Sequence, residues 1–236
     1  MVQAKPVLHR DDPAAAPLVG NIKVTRQDWL NAALDVLIHD GIEQVKVLSL
    51  ADRMGVSRSS FYWYFASRQD LLEALLAHWE STNTAAMLAQ AAAPAKTITE
   101  AVCNIFRCTA NPGLFDTALD FGVRDWARRS EAVRGQLDAS DARRVAALGA
   151  MFERHGYGTP EAQTRARVLY FMQIGYDVAD LREDPATRLA QVPDYLRVFT
   201  GQEPQATEIA AFDAYARQFW GQAADGSGAK TSPRSK

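Results

Sequence analysis

Five polar side chains follow Gly55 closely enough to share one surface, and their chemistry suits contact with nucleic acid. They are Arg58, Ser59, Ser60, Tyr62 and Tyr64. Short polar side chains and arginine can meet base edges where the first residues of a recognition helix enter the major groove. Tyrosine hydroxyls can hydrogen-bond phosphate oxygens and fix the register of the helix. The pattern predicts a short helix that reads DNA.

Two short helices separated by a tight turn would position these groups. The apolar residues of the first recur at helical spacing, at Leu48, Ala51 and Met54. Gly55 favours the positive φ of a helix end, and Ser57 can cap a second helix that extends to Tyr64. This helix would turn Val56, Phe61 and Phe65 inward, and Trp63 is predicted to be a half-buried brace. A glycine turn and an aromatic run also occur in proteins that ignore nucleic acid, so the pattern alone leaves both interpretations open.

Amphipathic helices flank this pair. Upstream, Thr25 to His39 has a cap at Thr25, an acid at Asp28 and an apolar face of Trp29, Ala33, Val36 and Leu37. Downstream, Ser67 caps a further helix with Asp70 as a box partner, and Leu71, Leu72, Leu75, Leu76 and Trp79 form its apolar face. The result is a bundle of short helices around the predicted reading pair.

Residues 24–79 resemble the DNA-binding domain of the TetR family of bacterial transcriptional regulators. The matching residues are Ala32-Ala33, Gly41, Leu50-Ala51, Gly55-Val56-Ser57, Phe61 to Phe65, Arg68 and Leu71-Leu72. The resemblance implies that Arg58, Ser59 and Ser60 meet bases and that Tyr62 and Tyr64 grip phosphates. It also implies backbone contacts at Thr25, Arg26 and Arg68. Lys46 stands where many relatives carry a capping Thr or Ser. This chain therefore lacks that cap and has an additional cation there.

The charge of this region adds little attraction for DNA. Residues 1–80 carry eight Lys and Arg against ten Asp and Glu, so the region is slightly acidic. Its cations are placed at helix starts and on the reading helix, where helix N-termini add partial positive charge. This charge balance predicts that DNA binding depends on specific contacts and on a dimer, rather than on general electrostatic attraction.

The length and composition predict a soluble globular protein in the cytoplasm. The chain has 236 residues and 47% hydrophobic content, enough for one or two domains. Apolar stretches are too short for a membrane span, and residues 1–22 lack the apolar centre of a signal peptide. We expect a flexible arm at 1–22, a helix-turn-helix domain at 23–80, an effector-binding and dimerisation domain at 81–222 and a disordered tail at 223–236. The arm, with Lys5, Arg10 and Lys23, is more simply an unstructured leader than a DNA contact.

The sequence gives no support for catalysis, a metal or a cofactor. Cys103 and Cys108 are five apart and lie on different sides of a predicted helix. The four histidines are scattered without ligand spacing, and no nucleophile and base form a recognisable set. We therefore predict a protein that is not an enzyme, with two buried structural cysteines, although a thiol switch stays open.

Beyond residue 80 the pattern is helical almost throughout, so the chain is predicted to be all-α with about nine or ten helices. The predicted helices are Thr97 to Ala110, Pro112 to Arg129, Glu131 to His155, Pro160 to Arg182, Ala186 to Phe199 and Gln205 to Trp220. Pro193 could split the fifth of these. The fourth and sixth carry broad apolar faces, which suit either a core or a subunit interface. The family resemblance favours the interface, with these two helices meeting their symmetry mates.

A small-molecule site is expected among the middle helices, where aromatic residues and a few polar groups coincide. The residues proposed for it are Phe106, Phe121, Trp126, Tyr170, Gln173 and Asp177. These features, with the resemblance, predict a repressor that binds a palindromic operator as a homodimer and is released by a small-molecule effector. The alternative is a DNA-binding regulator that answers to a protein partner or has no small-molecule ligand.

Overall fold

The computed structural model describes residues 24–179, 181 and 183–220, and over these residues every regular element is a helix. The prediction of an all-α fold is confirmed. The α-helices are α1 Arg26–His39, α2 Val47–Met54, α3 Arg58–Phe61, α4 Arg68–Trp79, α5 Ala85–Ala92, α6 Ile98–Ala110, α7 Thr117–Ala127, α8 Glu131–Arg154, α9 Thr159–Val178, α10 Pro185–Thr200 and α11 Ala206–Trp220. A 3-10 turn covers Ile42–Gln44, and a π turn at Glu80–Thr84 joins α4 to α5. With α4 and α5 counted as one interrupted helix, the described residues hold ten.

Side-chain caps fix where several helices begin. Thr25 and Asp28 form a complete capping box on α1, as the sequence predicts. The Ser67 hydroxyl accepts from the amide of Asp70, but the Asp70 carboxylate accepts from the amide of Ala66, so this cap lacks the reciprocal bond to Ser67. These bonds satisfy amides that the first helical turn cannot pair itself.

The helices divide into two compact units. The first contains residues 24–82 and also 118–140. Its core combines Trp29, Leu37, Phe61, Leu75 and Trp79 with Leu119, Val123, Trp126, Val133 and Leu137. The segment 118–140 therefore packs with the reading helices, although we expected it in the effector-binding domain at 81–222.

The second unit contains residues 83–117 and 141–220. Its core is built on α6, which packs against α5, α10 and α11 and buries Val102, Ile105 and Phe106. Arg144 is fully buried there and donates to the Thr84 hydroxyl at 2.8 Å and to the Tyr170 hydroxyl at 3.2 Å. These hydrogen bonds offset the cost of burying a charged side chain.

Some predicted boundaries are wrong. The recognition helix ends at Phe61 and continues as a turn, and α7 begins at Thr117 because residues 112–115 form a turn held by Asn111. Pro193 lies inside α10 without splitting it. The predicted arm at 1–22, the tail at 223–236 and the helix end at Arg182 lie outside the described residues. Within the described part of the chain, no helix is both long and apolar enough to cross a membrane.

Candidate nucleic-acid interface

The turn between α2 and α3 depends on the backbone conformation of Gly55. This residue has φ of 65° and ψ of 34°, in the left-handed region that favours glycine. The amide of Val56 then donates to the carbonyl of Ala51 at 3.0 Å, which closes the end of α2. The predicted helix, turn and second helix are therefore present, with Leu50, Ala51 and Met54 as the buried side of α2.

Short α3 exposes two of its three predicted base contacts. Arg58 and Ser59 are exposed, and the Ser59 hydroxyl lies 2.9 Å from that of Ser57. Ser60 is only 9% exposed and donates to the carbonyl of Ser57 at 2.7 Å. The prediction that Ser60 points outward is wrong, because its hydroxyl bonds the turn of its own helix. Ser57 precedes α3 but makes no side-chain cap bond.

The aromatic run divides between the core and the surface. Phe61 and Phe65 are buried, and Phe61 packs edge-on to Trp29 with ring centroids 5.2 Å apart. Tyr62 is 49% exposed and Trp63 is 80% exposed. The prediction that Trp63 is a half-buried brace is wrong, because the helix ends at Phe61 and the following turn points the indole outward. Trp63 is the most exposed large apolar side chain among the described residues.

Tyr64 braces the start of the domain. Its hydroxyl donates to the carbonyl of Val24 at 2.7 Å, which ties the turn after α3 to the residue before the α1 cap. The predicted phosphate contact is not available from this geometry, since the one hydroxyl proton is already donated.

Arg68 also has a structural role. Its Nε donates to the carbonyl of Val45 at 2.6 Å and its Nη2 to the carbonyl of Ile42 at 3.1 Å. The guanidinium thus holds the 3-10 turn that leads into α2. Two of its five donors thus have a positioning role, and because the side chain is exposed, the phosphate contact of Arg68 stays a prediction.

The remaining predicted contacts lie on the surface. Thr25 and Arg26 are exposed at the start of α1, and the Arg26 guanidinium lies 4.6 Å from the centre of the Phe65 ring. Lys46 precedes α2, is exposed and makes no side-chain cap bond, so its ammonium is available to an anion. Leu48, which the periodicity placed in the core, is 59% exposed. Sequence reasoning missed it because the apolar face of α2 is centred on Leu50, Ala51 and Met54.

Ion pairs and contacts with α7 stabilise the arrangement of helices around α2 and α3. Arg53 in α2 bridges Asp35 of α1 at 3.1 Å and Asp40 at 3.4 Å. Trp79 in α4 donates from its indole nitrogen to Asp120 of α7 at 2.8 Å, within the core of the first unit. These contacts hold α1, α2, α4 and α7 together, so α3 is presented from a rigid frame.

A separate cleft of about 440 Å³, including its open mouth, lies in the second unit. It is lined from four helices by Phe106, Thr109, Met172, Gln173, Tyr176, Arg188, Val192, Tyr195, Phe212 and Trp220. Two residues predicted for a ligand site, Phe106 and Gln173, are among them. Burial, followed by the hydrogen bond to Glu183, raises the pKa of Tyr176 to about 12, so its hydroxyl stays neutral.

Four other residues predicted for that site do not line the cleft. Trp126 is in the core of the first unit, and Phe121 of the same helix is 50% exposed. The Tyr170 hydroxyl donates to Asp141 at 2.7 Å beside Arg144, and Asp177 accepts from Gln173 at 2.9 Å. These four residues are therefore placed apart from this cleft, because helical periodicity cannot tell which of two cores an aromatic residue enters.

An exposed apolar ridge follows α9. Val168, Phe171 and Val178 lie on one side of the helix and are 51%, 44% and 49% exposed. On α11, Phe212 and Ala216 are buried in the second core, and Trp220 lines the cleft. The exposed side of α11 instead carries Ala206, Ala210 and Ala214. The part of α11 in a subunit interface therefore stays a prediction, and it would involve this alanine side of the helix.

Both cysteines are buried, as predicted. Burial raises the pKa of Cys103 and of Cys108 to about 12, so neither thiol ionises at neutral pH. Over the described residues, no group of three or more His, Cys, Asp or Glu side chains is placed to hold a metal ion.

Comparison with known proteins agrees with this geometry. Residues 30–75 match the family model for bacterial regulatory proteins, tetR family. Two curated relatives from Pseudomonas putida match in sequence: the chain is 36% identical over 55 residues to the uncharacterized HTH-type transcriptional regulator TtgW, and 36% identical over 53 residues to the HTH-type transcriptional regulator SrpR. These matches cover 23% and 22% of this chain, and 41% and 25% of the two relatives. The chain thus spans less than half the length of either curated relative.

Two solved structures share the fold over most of the chain. AmtR of Mycobacterium smegmatis aligns with a TM-score of 0.56 and 17% identity over 84% of this chain and 95% of that chain. GusR of Salmonella enterica aligns with a TM-score of 0.51 and 14% identity over 83% and 95%. The relatives that match in sequence are named as regulators, in keeping with the prediction that the chain is not an enzyme. In its matched N-terminal domain and in its fold, the chain is similar to the TetR family of bacterial transcriptional regulators.

Proposed function

We propose that the protein is a repressor that binds a palindromic DNA operator as a homodimer and leaves it when a small molecule binds the second unit. The observation that carries the DNA-binding part is the exposure of Arg58, Ser59, Tyr62 and Trp63 beside the buried Phe61 and Phe65. A short helix that exposes donors and aromatic edges from a fixed frame suits insertion into a major groove. Such a protein acts beside chromosomal DNA, which is why we place it in the cytoplasm.

Within this surface, the side chains divide by chemistry. Arg58 is the group best suited to a bidentate contact with guanine, and Ser59 can donate to either base of a pair. Lys46 and the Tyr62 hydroxyl suit phosphates, and the indole of Trp63 suits the apolar edge of a thymine methyl or a deoxyribose. Thr25 and Arg26 at the start of α1 would add a backbone contact.

The homodimer is supported by the ridge on α9. Three large apolar side chains exposed along one side of a helix leave apolar area in water, and a second copy would cover it. The alanines on the exposed side of α11 would let a partner helix approach closely. A dimer also suits the short α3, which can reach only a few base pairs alone.

Release by a small molecule is supported by the cleft in the second unit. Its walls are mostly apolar with a few polar groups, as in ligand sites. A ligand that binds more tightly to the conformation unable to engage the operator would release DNA by mass action. The cleft weighs against the alternative regulator that has no small-molecule ligand.

Selection from random double-stranded DNA with the full-length protein tests the DNA-binding proposal. We expect enrichment of an inverted repeat whose half-sites are centred about 10 base pairs, or a multiple of a helical turn, apart. Sedimentation of the protein with the selected DNA should then give two chains, or pairs of chains, per site. Enrichment of no sequence, or one chain on a single half-site, contradicts the proposal.

Operator release is tested by a thermal-shift screen of metabolites and toxic hydrophobic compounds, repeated with operator DNA present. An effector should raise the melting temperature of the free protein and lower its affinity for the operator. A compound that stabilises the protein equally with and without the operator is a binder that does not act as an effector.

A further inference from the structure

Arg188 is placed among aromatic rings in the cleft of the second unit. It lies near the start of α10, with its Cζ 4.5 Å from the centre of the Tyr176 ring and 5.0 Å from the centre of the Trp220 ring. In a cation–π contact, the ring faces attract the positive charge of the guanidinium. The N–H groups of the guanidinium are not used as hydrogen-bond donors in that contact. The side chain is thus held in place while its donors stay available.

Those donors have no acceptor among the described residues. Within the part of the chain that the structure describes, no carboxylate, carbonyl or hydroxyl accepts a hydrogen bond from the Arg188 guanidinium, and its contacts are the two rings. Other cations of this unit differ: Arg197 on the same helix pairs with Asp194 and Glu203. A half-buried guanidinium with five donors and no acceptor among the described residues suits an external anion.

The rest of the lining determines which ligand charge the cleft favours. Of the ten side chains that line it among the described residues, Arg188 is the one that carries a charge. Glu183, which accepts from the Tyr176 hydroxyl, is not part of the lining. The hydroxyl of Tyr195, also in the described lining, makes no hydrogen bond to a described residue and adds a donor.

Apolar side chains form much of the remaining lining. Phe106 packs edge-on to Phe212 with ring centroids 5.9 Å apart, and Val192 and Met172 lie beside them in the lining. A flat hydrophobic body would therefore contact rings while its acidic group meets the guanidinium.

We infer that this cleft binds a small organic anion, a carboxylate on a flat apolar body, with Arg188 as the anion-binding residue. The inference rests on the proposed ligand response and names the chemical class of its effector. The carboxylate would accept a charge-assisted pair of hydrogen bonds from Arg188, with Tyr195 as an additional donor.

Calorimetric titration of the full-length protein with three probes of one shape tests the inference. The probes are 2-naphthoate, the neutral 2-naphthamide and the cationic 2-naphthylmethylammonium. We expect the carboxylate to bind at least tenfold more tightly than the other two. Arg188→Gln should lower the affinity for 2-naphthoate by about tenfold to one hundredfold and abolish the preference over the amide.

Two further variants make the comparison specific. Arg197→Gln removes one cation from the same helix outside the cleft and should leave the affinity for 2-naphthoate unchanged. Arg188→Lys keeps the charge and should retain a preference for the carboxylate, which provides a test even where Arg188→Gln folds poorly. Equal binding of all three probes, a preference for the cation, or an unchanged preference in folded Arg188→Gln would overturn the inference.

Operator binding separates this inference from the proposed function. If 2-naphthoate binds through Arg188 but does not release the operator, the anion site stands and the proposed effector response fails at this cleft. If a neutral or cationic compound releases the operator while 2-naphthoate does not bind, the proposed function stands and the anion site is wrong.

Discussion

The Arg58 guanidinium donates a hydrogen bond to the Tyr62 hydroxyl at 3.1 Å, and its Cζ lies 5.8 Å from the centre of the Tyr62 ring. The two residues are one helical turn apart and both are exposed. The tyrosine thus orients the arginine before DNA arrives, and it keeps its own hydroxyl proton for a phosphate.

Arg58→Ala should weaken operator binding by about 1–3 kcal/mol and relax specificity at one base pair. Tyr62→Phe should weaken binding to both matched and scrambled DNA, because it removes a phosphate contact, with a larger loss on matched DNA, because Arg58 is no longer oriented. Since Tyr62 also orients Arg58, the double variant should lose less than the sum of the two losses. Gel-shift titrations on both DNAs measure this, and full additivity would show that the hydrogen bond has no role in binding.

Trp63→Ala should reduce operator affinity with little change in stability. The indole is 80% exposed, so its removal leaves no cavity and should alter the free energy of unfolding by less than about 0.5 kcal/mol. Urea unfolding and gel shifts on one preparation give both quantities. The control Phe61→Ala removes a buried ring and should cost about 3–5 kcal/mol of stability. A Trp63→Ala protein with normal operator affinity would remove the indole from the interface.

Lys46→Ser should stabilise the protein while weakening its attraction to DNA. Lys46 precedes α2 with extended φ and ψ and makes no cap bond, so a serine there can accept from an amide of the first turn. The gain should be about 0.5–1 kcal/mol in urea unfolding. With one cation fewer, the slope of log affinity against log salt should become shallower by about one unit. Lys46→Ala, which has neither cap nor charge, should share the salt effect without the gain in stability.

Phe171→Glu should separate the proposed dimer. The ring is 44% exposed in the ridge on α9, so a carboxylate is harmless in the monomer but would be buried without a partner at a subunit interface. Sedimentation should give a folded monomer with weakened operator binding. Ala146→Glu, at an exposed position on α8, should remain dimeric. A dimer that survives Phe171→Glu would mean that the subunits associate elsewhere.

The cysteines should resist alkylation in the native protein and contribute to loss of stability at high pH. The folded pKa values of about 12 exceed the unfolded value of 9.0, so the unfolded chain loses these protons first. This contribution to stability is complete below pH 9 and declines up to pH 12, by about 1.4 kcal/mol per pH unit for each thiol. Iodoacetamide at pH 8 should label both thiols only in denaturant. In urea unfolding from pH 8 to pH 10, Cys103→Ala/Cys108→Ala should show the smaller decline, and an equal decline would contradict the assignment.

The sequence was most informative where one residue determines a local geometry. Gly55 identifies the turn because its φ of 65° favours glycine, and Thr25 with Asp28 identifies the start of α1 because a capping box is local. Long-range contacts were not predictable in this way. Tyr64 is separated from Val24, and Arg68 from Ile42, by enough chain that no spacing rule connects them, so both were assigned to phosphate instead of to backbone carbonyls.

The lining of the cleft in the second unit was predicted less well for a related reason. Trp126 and Phe106 have similar apolar helical surroundings in the sequence, yet Trp126 enters the first core and Phe106 the second. Arg188 gave no periodic signal, because a cation near a helix start is usually solvated. Its position became informative only once the rings of Tyr176 and Trp220 were located beside it.

The first unit is built from two separate segments of the chain, which limits how DNA specificity can be exchanged between relatives. The indole of Trp79 donates to Asp120, and Leu119, Val123 and Trp126 complete the core around it, although about forty residues of other structure intervene in the chain. A chimera of two relatives that are joined after α4 would combine α1–α4 of one protein with α7 of the other. Exchange of DNA specificity between relatives therefore requires 24–82 and 118–140 to be inherited together, or α3 and its neighbours to be grafted onto a conserved frame.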